Sequence, residues 1–175
     1  SYPWTGKYIQ SRPFTLTAEA KPGFNFVRWE KSNNILITIL PAGSAWRFRD
    51  AATPPPSDWN QPAFNDGAWA SGAAQLGYGD NDEATTLSFG GDAGKKTPSY
   101  YFRTTLDVAD PDAFSGLMAR LLVDDGAVVY LNGHEIWRIN LPAAPSAISF
   151  GTFALSSVSG TAENAWNELN LPASA

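Results

Sequence analysis

The segment that follows Asp124 constrains the fold of this chain more than any other part. Asn132-Gly133 stands between two apolar, β-rich runs at residues 127–131 and 134–137. Both central residues of a tight hairpin turn need positive φ, which Asn and Gly adopt at low cost, so the pattern predicts a β-hairpin. A further apolar run precedes Asp124-Asp125-Gly126, and we expect three strands wound as an antiparallel meander. This indicates an all-β domain that works through its loops, and disfavours a nucleotide-binding α/β enzyme.

The composition is that of a globular domain without disulfides. The chain has 175 residues, of which 43% are hydrophobic and 17% charged, so it can form one domain or one domain with a small appendage. It has no cysteine, which excludes disulfides, thiolate metal sites and a cysteine nucleophile. Seven Trp, six Tyr and ten Phe can fill the core of a β-sandwich or form a stacking surface for sugar rings.

The charge is acidic and unevenly placed. The net charge is −5, to which residues 1–40 contribute +3 and residues 41–175 contribute −8. Affinity for nucleic acid depends on Lys and Arg that neutralise phosphates, so the acidic main region is not expected to bind nucleic acid; it is compatible with neutral glycans or Ca²⁺. No run of about 18 apolar residues occurs, so no membrane span is expected. The chain begins with Ser1, and we interpret it as processed or cut from a longer protein.

Two regions differ in pattern. Residues 1–40 hold three short runs separated by turns and are predicted to form a small β-meander, while residues 41–175 are predicted to form the main domain. Besides the hairpin, the main domain has strand signals at residues 46–49, 100–108, 147–153 and 164–171. Helical patterning is nearly absent, apart from one turn at Pro111. The predicted fold class is all-β: an antiparallel β-sandwich, of jelly-roll type, with a small N-terminal β-meander.

A long segment, residues 51–94, is rich in Gly, Pro, Asn and Asp and has little regular periodicity. Trp59, Phe64 and Trp69 recur in it at intervals of five residues. We expect a long loop that these aromatic side chains anchor to the sandwich.

Several motifs of the main domain resemble the galactose-binding-like jelly roll found in large secreted bacterial proteins. They are Trp46-Arg47-Phe48, Trp59 with Phe64-Asn65-Asp66-Gly67-Ala68-Trp69, Gly72, Leu76-Gly77-Tyr78-Gly79-Asp80, Tyr101-Phe102-Arg103 and Leu122-Val123-Asp124-Asp125-Gly126-Ala127-Val128-Val129-Tyr130-Leu131-Asn132-Gly133. The resemblance implies a β-sandwich that is secreted or displayed on the cell surface. Domains of this type serve as carbohydrate-binding modules, as accessories of glycosidases and as spacers.

The N-terminal region resembles a second bacterial element. Pro22-Gly23-Phe24-Asn25-Phe26-Val27-Arg28-Trp29 is similar to the hairpin of a surface β-repeat. The two resemblances together imply part of a multidomain surface protein of the CotH-associated type. Galactose-binding-like domains continue beyond the strand at residues 164–171, so we expect either a truncated sandwich or a last strand supplied by another chain.

One loop has the composition of a calcium site. Residues 79–83 concentrate three acids and an amide, and Ca²⁺ is bound by six to eight oxygen ligands of these kinds. The spacing is not that of an EF-hand. The predicted ligands of a structural Ca²⁺ are Asp80 and Asp82; the alternative is a solvated acidic turn.

Five side chains are candidates for glycan binding, because a sugar site needs an aromatic face and planar polar groups that bond to hydroxyls. They stand on predicted loops or hairpin ends: Trp59, Trp69, Tyr78, Trp137 and Arg138. Trp137 has the strongest claim because it follows the hairpin turn among polar residues. Trp59 and Trp69 can equally be anchors buried in the core.

The sequence offers little for catalysis. Adjacent Asp124 and Asp125 point to opposite faces of a strand, so one of them is expected to stabilise the turn rather than act as half of a catalytic pair. His134 is the only histidine, which excludes a site of several histidines, and it is expected to be exposed.

The predicted function is therefore a non-catalytic carbohydrate-binding or adhesion module of a secreted or cell-surface bacterial protein. The alternative is a structural module of an extracellular filament or adhesin that assembles by β-strand complementation with neighbouring domains or subunits.

Overall fold

The computed structural model describes residues 36–79 and 81–172. Within these residues the chain is all-β, as predicted, with two short 3-10 helices at Pro111–Ala113 and Gly160–Ala162 and no α-helix. From Thr38 onward it forms one compact unit. The strands are β1 Ala45–Arg49, β2 Ala70–Ala73, β3 Leu76–Gly77, β4 Thr85–Thr86, β5 Tyr101–Arg103, β6 Gly116–Leu121, β7 Ala127–Leu131, β8 His134–Ile139 and β9 Asn167–Pro172.

Antiparallel pairing dominates. A three-stranded sheet has the order β2-β1-β5, β6 pairs with β9, and β7 pairs with β8, whereas β3 and β4 form a short parallel pair. Phe48 lies at the centre of the three-stranded sheet, opposite Ala70 on one side and Phe102 on the other. It belongs to the core, together with Trp69, Leu87 and Val123.

The predicted hairpin is confirmed. β7 and β8 pair from Ala127↔Ile139 to Leu131↔His134, and Asn132 and Gly133 both have positive φ, at 50° and 85°. Most residues with a side chain rarely adopt a positive φ, whereas Asn and Gly do so at low cost, which is why this dipeptide suits the turn.

The three-strand meander predicted around this hairpin is wrong. β6 pairs with β9, more than forty residues later in the sequence, and not with β7. The exposed side chains alternate regularly on both strands of that pair, so their pattern shows which face is solvated but not which strand is the partner.

Two other strand predictions differ from the structure. The strand expected at residues 147–153 is irregular, because Ser149 and Thr152 bond to each other and close a turn. The strand expected at residues 100–108 covers only Tyr101–Arg103. At residues 104–108, the alternation of half-buried and exposed side chains reflects burial of one face and not pairing with another strand.

The long segment 51–94 contains three short strands that its sequence does not reveal. β2 has the sequence Ala-Ser-Gly-Ala, which lacks the bulky residues typical of strands, and its pairing with β1 is set by the tertiary fold. A Cβ atom at Gly72 would come within 2.4 Å of the Thr85 hydroxyl oxygen. The small residue therefore permits a close approach of β2 to the β3–β4 pair.

Residues 1–35, which hold nearly all of the predicted N-terminal meander, lie outside the described residues. Residues 36–40, the end of its third apolar run, form no strand.

Gly133→Ala should destabilise the domain by about 1–2 kcal/mol, because an L-residue with a side chain is strained in the left-handed region. Its Cβ would also displace the Gln61 side-chain amide, 2.8 Å away. Urea unfolding measures the change. The matched control is Gly151→Ala, since a Cβ atom there meets open space; equal losses for both variants would contradict the turn geometry.

Candidate functional site: an aromatic pocket between four segments

Four half-buried aromatic side chains meet at one open pocket of about 540 Å³. They are Trp59, Tyr101 of β5, Tyr130 of β7 and Phe150. We call this site the aromatic pocket. The other residues that line it are uncharged, and each is small, apolar or polar: Pro54, Pro55, Ser57, Asn60, Ile148, Ser149 and Gly151.

Trp59 organises the pocket through edge-to-face ring contacts. Its ring centroid lies 4.8 Å from that of Tyr101 and 5.6 Å from that of Tyr130, with interplanar angles of 78° and 83°. Such contacts pair the positive edge of one ring with the negative face of the next. One tryptophan thereby joins the three-stranded sheet to the β7–β8 hairpin.

Arg103 of β5 holds the loop that carries Trp59. The Arg103 guanidinium bonds to the Asp66 carboxylate at 3.0 Å and to the backbone carbonyl of Trp59, and it lies over the Phe64 ring. Phe64 in turn contacts Trp69 edge-to-face at 5.7 Å. These contacts confirm that the aromatic residues at five-residue intervals anchor this loop.

Phe150 completes the opposite wall. Its ring is stacked nearly parallel to Tyr101, at an interplanar angle of 8°, and its carbonyl accepts a hydrogen bond of 2.6 Å from Ser99. On the loop side, the Asn60 amide donates to the carbonyl of Gly133 at the hairpin tip. Both walls are thus fixed to strands or strand ends.

A β-bulge determines which side chains of β8 share a face with Tyr130, the hairpin residue that lines the pocket. Val129 pairs with Trp137, but Tyr130 pairs with Glu135, so Ile136 is the extra residue. Because cross-strand partners share a face, Tyr130 and Glu135 lie on one face, and Trp137 lies with Val129 on the other.

The bulge also brings Glu135 and Arg138 together. The Arg138 guanidinium donates two hydrogen bonds of 2.7 Å to the two Glu135 carboxylate oxygens. It also donates to the carbonyls of Pro142 and Ser146. Two of these four hydrogen bonds therefore hold Glu135, and the other two hold the loop after β8.

The tyrosine hydroxyls of the pocket are held in the neutral, proton-donating form. Burial raises the pKa of Tyr101 and of Tyr130, and the nearby Glu135 carboxylate raises that of Tyr130 further. Arg49 beside Tyr101 and Arg138 beside Tyr130 act in the opposite direction but have the smaller effect.

Of the five predicted glycan-binding residues, the structure places only Trp59 in the aromatic pocket. Trp69 is 9% exposed and belongs to the core. Tyr78 lies in a separate cluster with Phe89, Tyr100 and the Lys96 ammonium, which is 5.0 Å from its ring centre. Trp137 and Arg138 lie within β8, where Arg138 has the bonds described above.

Of the two predicted calcium ligands, only Asp82 lies among the described residues, and it does not line the pocket. Asp80 lies outside the described residues, and Asp82 is exposed. In the parts of the chain that the structure describes, no three His, Cys, Asp or Glu side chains are grouped as a metal site would require. The calcium site stays a prediction.

The Asp125 carboxylate has a structural role, but over a longer range than the sequence suggests. It accepts a hydrogen bond of 2.6 Å from the backbone N–H of Val158 rather than from its own turn. Asn140, nearby, bonds to the carbonyls of Asp125 and Ser156. These bonds tie residues 156–158 to the hairpin. Asp125, Asn140 and Val158 also line a smaller pocket of about 220 Å³. His134 is exposed, as expected.

Sequence reasoning missed Tyr101, Tyr130 and Phe150. The first two lie in strands, where an aromatic residue is ordinarily explained by packing, and Phe150 falls in a strand that does not form. No alternation in β7 distinguishes Tyr130, because the strand reads Ala-Val-Val-Tyr-Leu and all five of its residues are half-buried.

Comparisons of the chain with protein-family models, curated proteins and solved structures give no match. The resemblance to galactose-binding-like domains therefore rests on its motif residues. Among the described residues, no helix is long and apolar enough to cross a membrane.

Trp69→Phe should lower the free energy of unfolding by about 1–3 kcal/mol, because the smaller ring leaves a gap in the core. The matched control is Trp166→Phe, which changes a ring that is 44% exposed and should alter stability by less than about 0.5 kcal/mol. Chemical denaturation measures both. A Trp69 variant as stable as the control would contradict the core assignment.

Glu135→Gln should destabilise the domain at neutral pH and not at low pH. Hydrogen bonds from Arg138 lower the pKa of Glu135 below its usual 4.5 in the folded state. The stabilisation is therefore fully present above the unfolded pKa and is lost as pH falls through the folded pKa. Urea midpoints of both proteins between pH 7 and pH 3 should converge on acidification; a constant difference would contradict the ion pair.

Proposed function

We propose that this domain is a non-catalytic carbohydrate-binding module of a secreted or cell-surface bacterial protein, and that the aromatic pocket is its sugar site. We propose a β-sandwich of jelly-roll type for its fold. The observation that carries the proposal is the convergence of four aromatic rings with neutral polar side chains at one open pocket. The motif resemblance to galactose-binding-like domains supports it.

The chemistry of a sugar suits this site. Pyranose rings present C–H groups on one face, which can stack on an aromatic ring, and hydroxyls at the rim, which need hydrogen-bond partners. The half-buried rings of Trp59 and Phe150 supply partly accessible apolar surface. The Asn60 amide has one N–H beyond its bond to Gly133, and the hydroxyls of Ser57 and Ser149 can each make further hydrogen bonds.

Among the described residues, the pocket lining has no carboxyl groups that could hydrolyse a bound sugar. Glycoside hydrolysis ordinarily uses a pair of carboxyl groups that flank the bond. The eleven lining residues include no Asp or Glu. Recognition without turnover is therefore the activity proposed for this site.

Phe150→Ala should weaken glycan binding by at least about tenfold, which corresponds to ~1.4 kcal/mol. The matched control is Phe153→Ala, which changes a ring in the same loop that is 73% exposed and lies outside the pocket. A glycan array identifies the ligand, and titration calorimetry measures both variants. Trp59→Ala, with Trp166→Ala as its control, tests the opposite wall.

Three outcomes would overturn the sugar proposal. They are failure of the folded domain to bind any array glycan, equal loss of binding in Phe150→Ala and Phe153→Ala, and turnover of the bound glycan. Aromatic grooves also bind proline-rich peptides, so a decaproline peptide is included as a probe. Saturable binding of that peptide without glycan binding would reassign the pocket to peptide recognition.

Assembly by strand addition is the second candidate, and the β6–β9 pair favours it. In the described part of the chain these two strands form a two-stranded sheet, so each has an edge without a strand partner. Such edges can accept a further strand. Sedimentation velocity over a range of concentrations tests this; a monomer throughout would remove self-assembly from consideration.

A further inference from the structure

We infer that the aromatic pocket selects neutral saccharides and discriminates against those that carry carboxylate or sulfate groups. This inference rests on the proposed function and specifies the chemical class of its ligand. It is carried by the charge of the lining, the arrangement of the nearby ionic side chains and the charge of the whole domain.

In the part of the chain that the structure describes, the lining of the pocket is uncharged. None of the eleven residues at the pocket is Asp, Glu, Lys, Arg or His. An anion that enters must give up hydration, and no cationic lining side chain replaces it. Burial of an unpaired charge is costly, whereas a sugar hydroxyl can exchange water for the Asn60 amide or a serine hydroxyl.

The two ionic groups behind Tyr130 are already paired. Glu135 and Arg138 neutralise each other through two hydrogen bonds of 2.7 Å. Arg138 is further fixed by the carbonyls of Pro142 and Ser146. Its guanidinium is thus committed to the protein and is not among the pocket-lining residues.

Arg49 is the cation on the other side, beside Tyr101. Its guanidinium donates to the hydroxyl and the carbonyl of Thr53 at 2.9 and 3.3 Å, and it does not line the pocket. Arg49 lowers the pKa of Tyr101, yet burial raises that pKa by more. A phenolate at Tyr101 would itself be an anion at the pocket wall, so the attraction of Arg49 does not offset the loss of hydration there.

The domain as a whole adds a repulsive field. Residues 41–175 carry seven Lys or Arg and fifteen Asp or Glu, for a net charge of −8. A field of this sign lowers the local concentration of anionic ligands and slows their association, and salt screens it. Local and long-range electrostatics therefore act in the same direction.

The test uses ligands that share one oligosaccharide framework and differ in the group at C6 of the terminal sugar, which is charged only in the acid. The array and calorimetry compare neutral oligosaccharides with the same oligosaccharides in which the terminal hexose is a hexuronic acid, and with the methyl ester of that acid. The neutral sugar and the ester are expected to bind with similar affinity. The free acid is expected to bind at least about tenfold more weakly, with a smaller difference at high salt.

A charge-insertion pair separates the pocket from the overall field. Ser57→Lys adds a cation at the lining, whereas Ser115→Lys adds one at an exposed serine outside it. Both change the net charge equally. Only Ser57→Lys is expected to improve binding of the acid relative to the ester by several-fold.

The outcomes distinguish this inference from the proposed function. Equal or tighter binding of the acidic sugars would overturn the neutral selectivity and leave the sugar site intact. Equal effects of the two lysine variants would overturn the role of the uncharged lining. Absence of binding to any sugar would overturn both proposals.

Discussion

The edge-to-face packing of Trp59 on Tyr101 and Tyr130 is the interaction on which the described domain depends. It joins a sheet built from β2, β1 and β5 to the separate β7–β8 hairpin. Arg103, at the end of β5, holds the same loop through Asp66 and the Trp59 carbonyl. Two strands and a long irregular segment are therefore fixed by one aromatic side chain and one guanidinium. The Trp59 ring lies between Tyr101 of β5 and Tyr130 of β7, and all three residues line the pocket.

The bulge at Ile136 divides the side chains of β8 between two roles. Without an extra residue, Glu135 and Arg138 would lie on opposite faces of the strand, because they are three positions apart in the sequence. With it they share a face and form a bidentate ion pair, while Trp137 turns to the other face beside Val129. The aromatic ring with the strongest claim in the sequence is thus placed on the face opposite Tyr130. Trp137 was favoured because it follows the hairpin turn among polar residues, a pattern that does not reveal the bulge.

The features that the sequence predicted correctly are those determined by neighbouring residues. Asn132-Gly133 specified the hairpin, because positive φ is a property of those two residues, and the aromatic spacing from Trp59 to Trp69 predicted an anchored loop. The pairing of β6 with β9 was not predictable in this way, because alternation of apolar residues shows a half-buried face and not a partner. The turn at Ser149 is local, but the apolar residues around it predicted a strand in its place. The aromatic pocket was the feature hardest to predict from the sequence. Its rings come from separate strands and loops, and each ring has an ordinary explanation in packing.

The separation of the pocket walls along the chain couples ligand occupancy to the integrity of the whole fold. Trp59, Tyr101, Tyr130 and Phe150 come from four segments that span much of the domain, so the unfolded chain has no corresponding site. A ligand that touches all four is a reversible cross-link between them. Its binding free energy adds to the stability of the native state, by about 2.7 kcal/mol at a hundredfold excess over the dissociation constant. A domain with few deeply buried side chains would then be most resistant to proteolysis where its ligand is abundant.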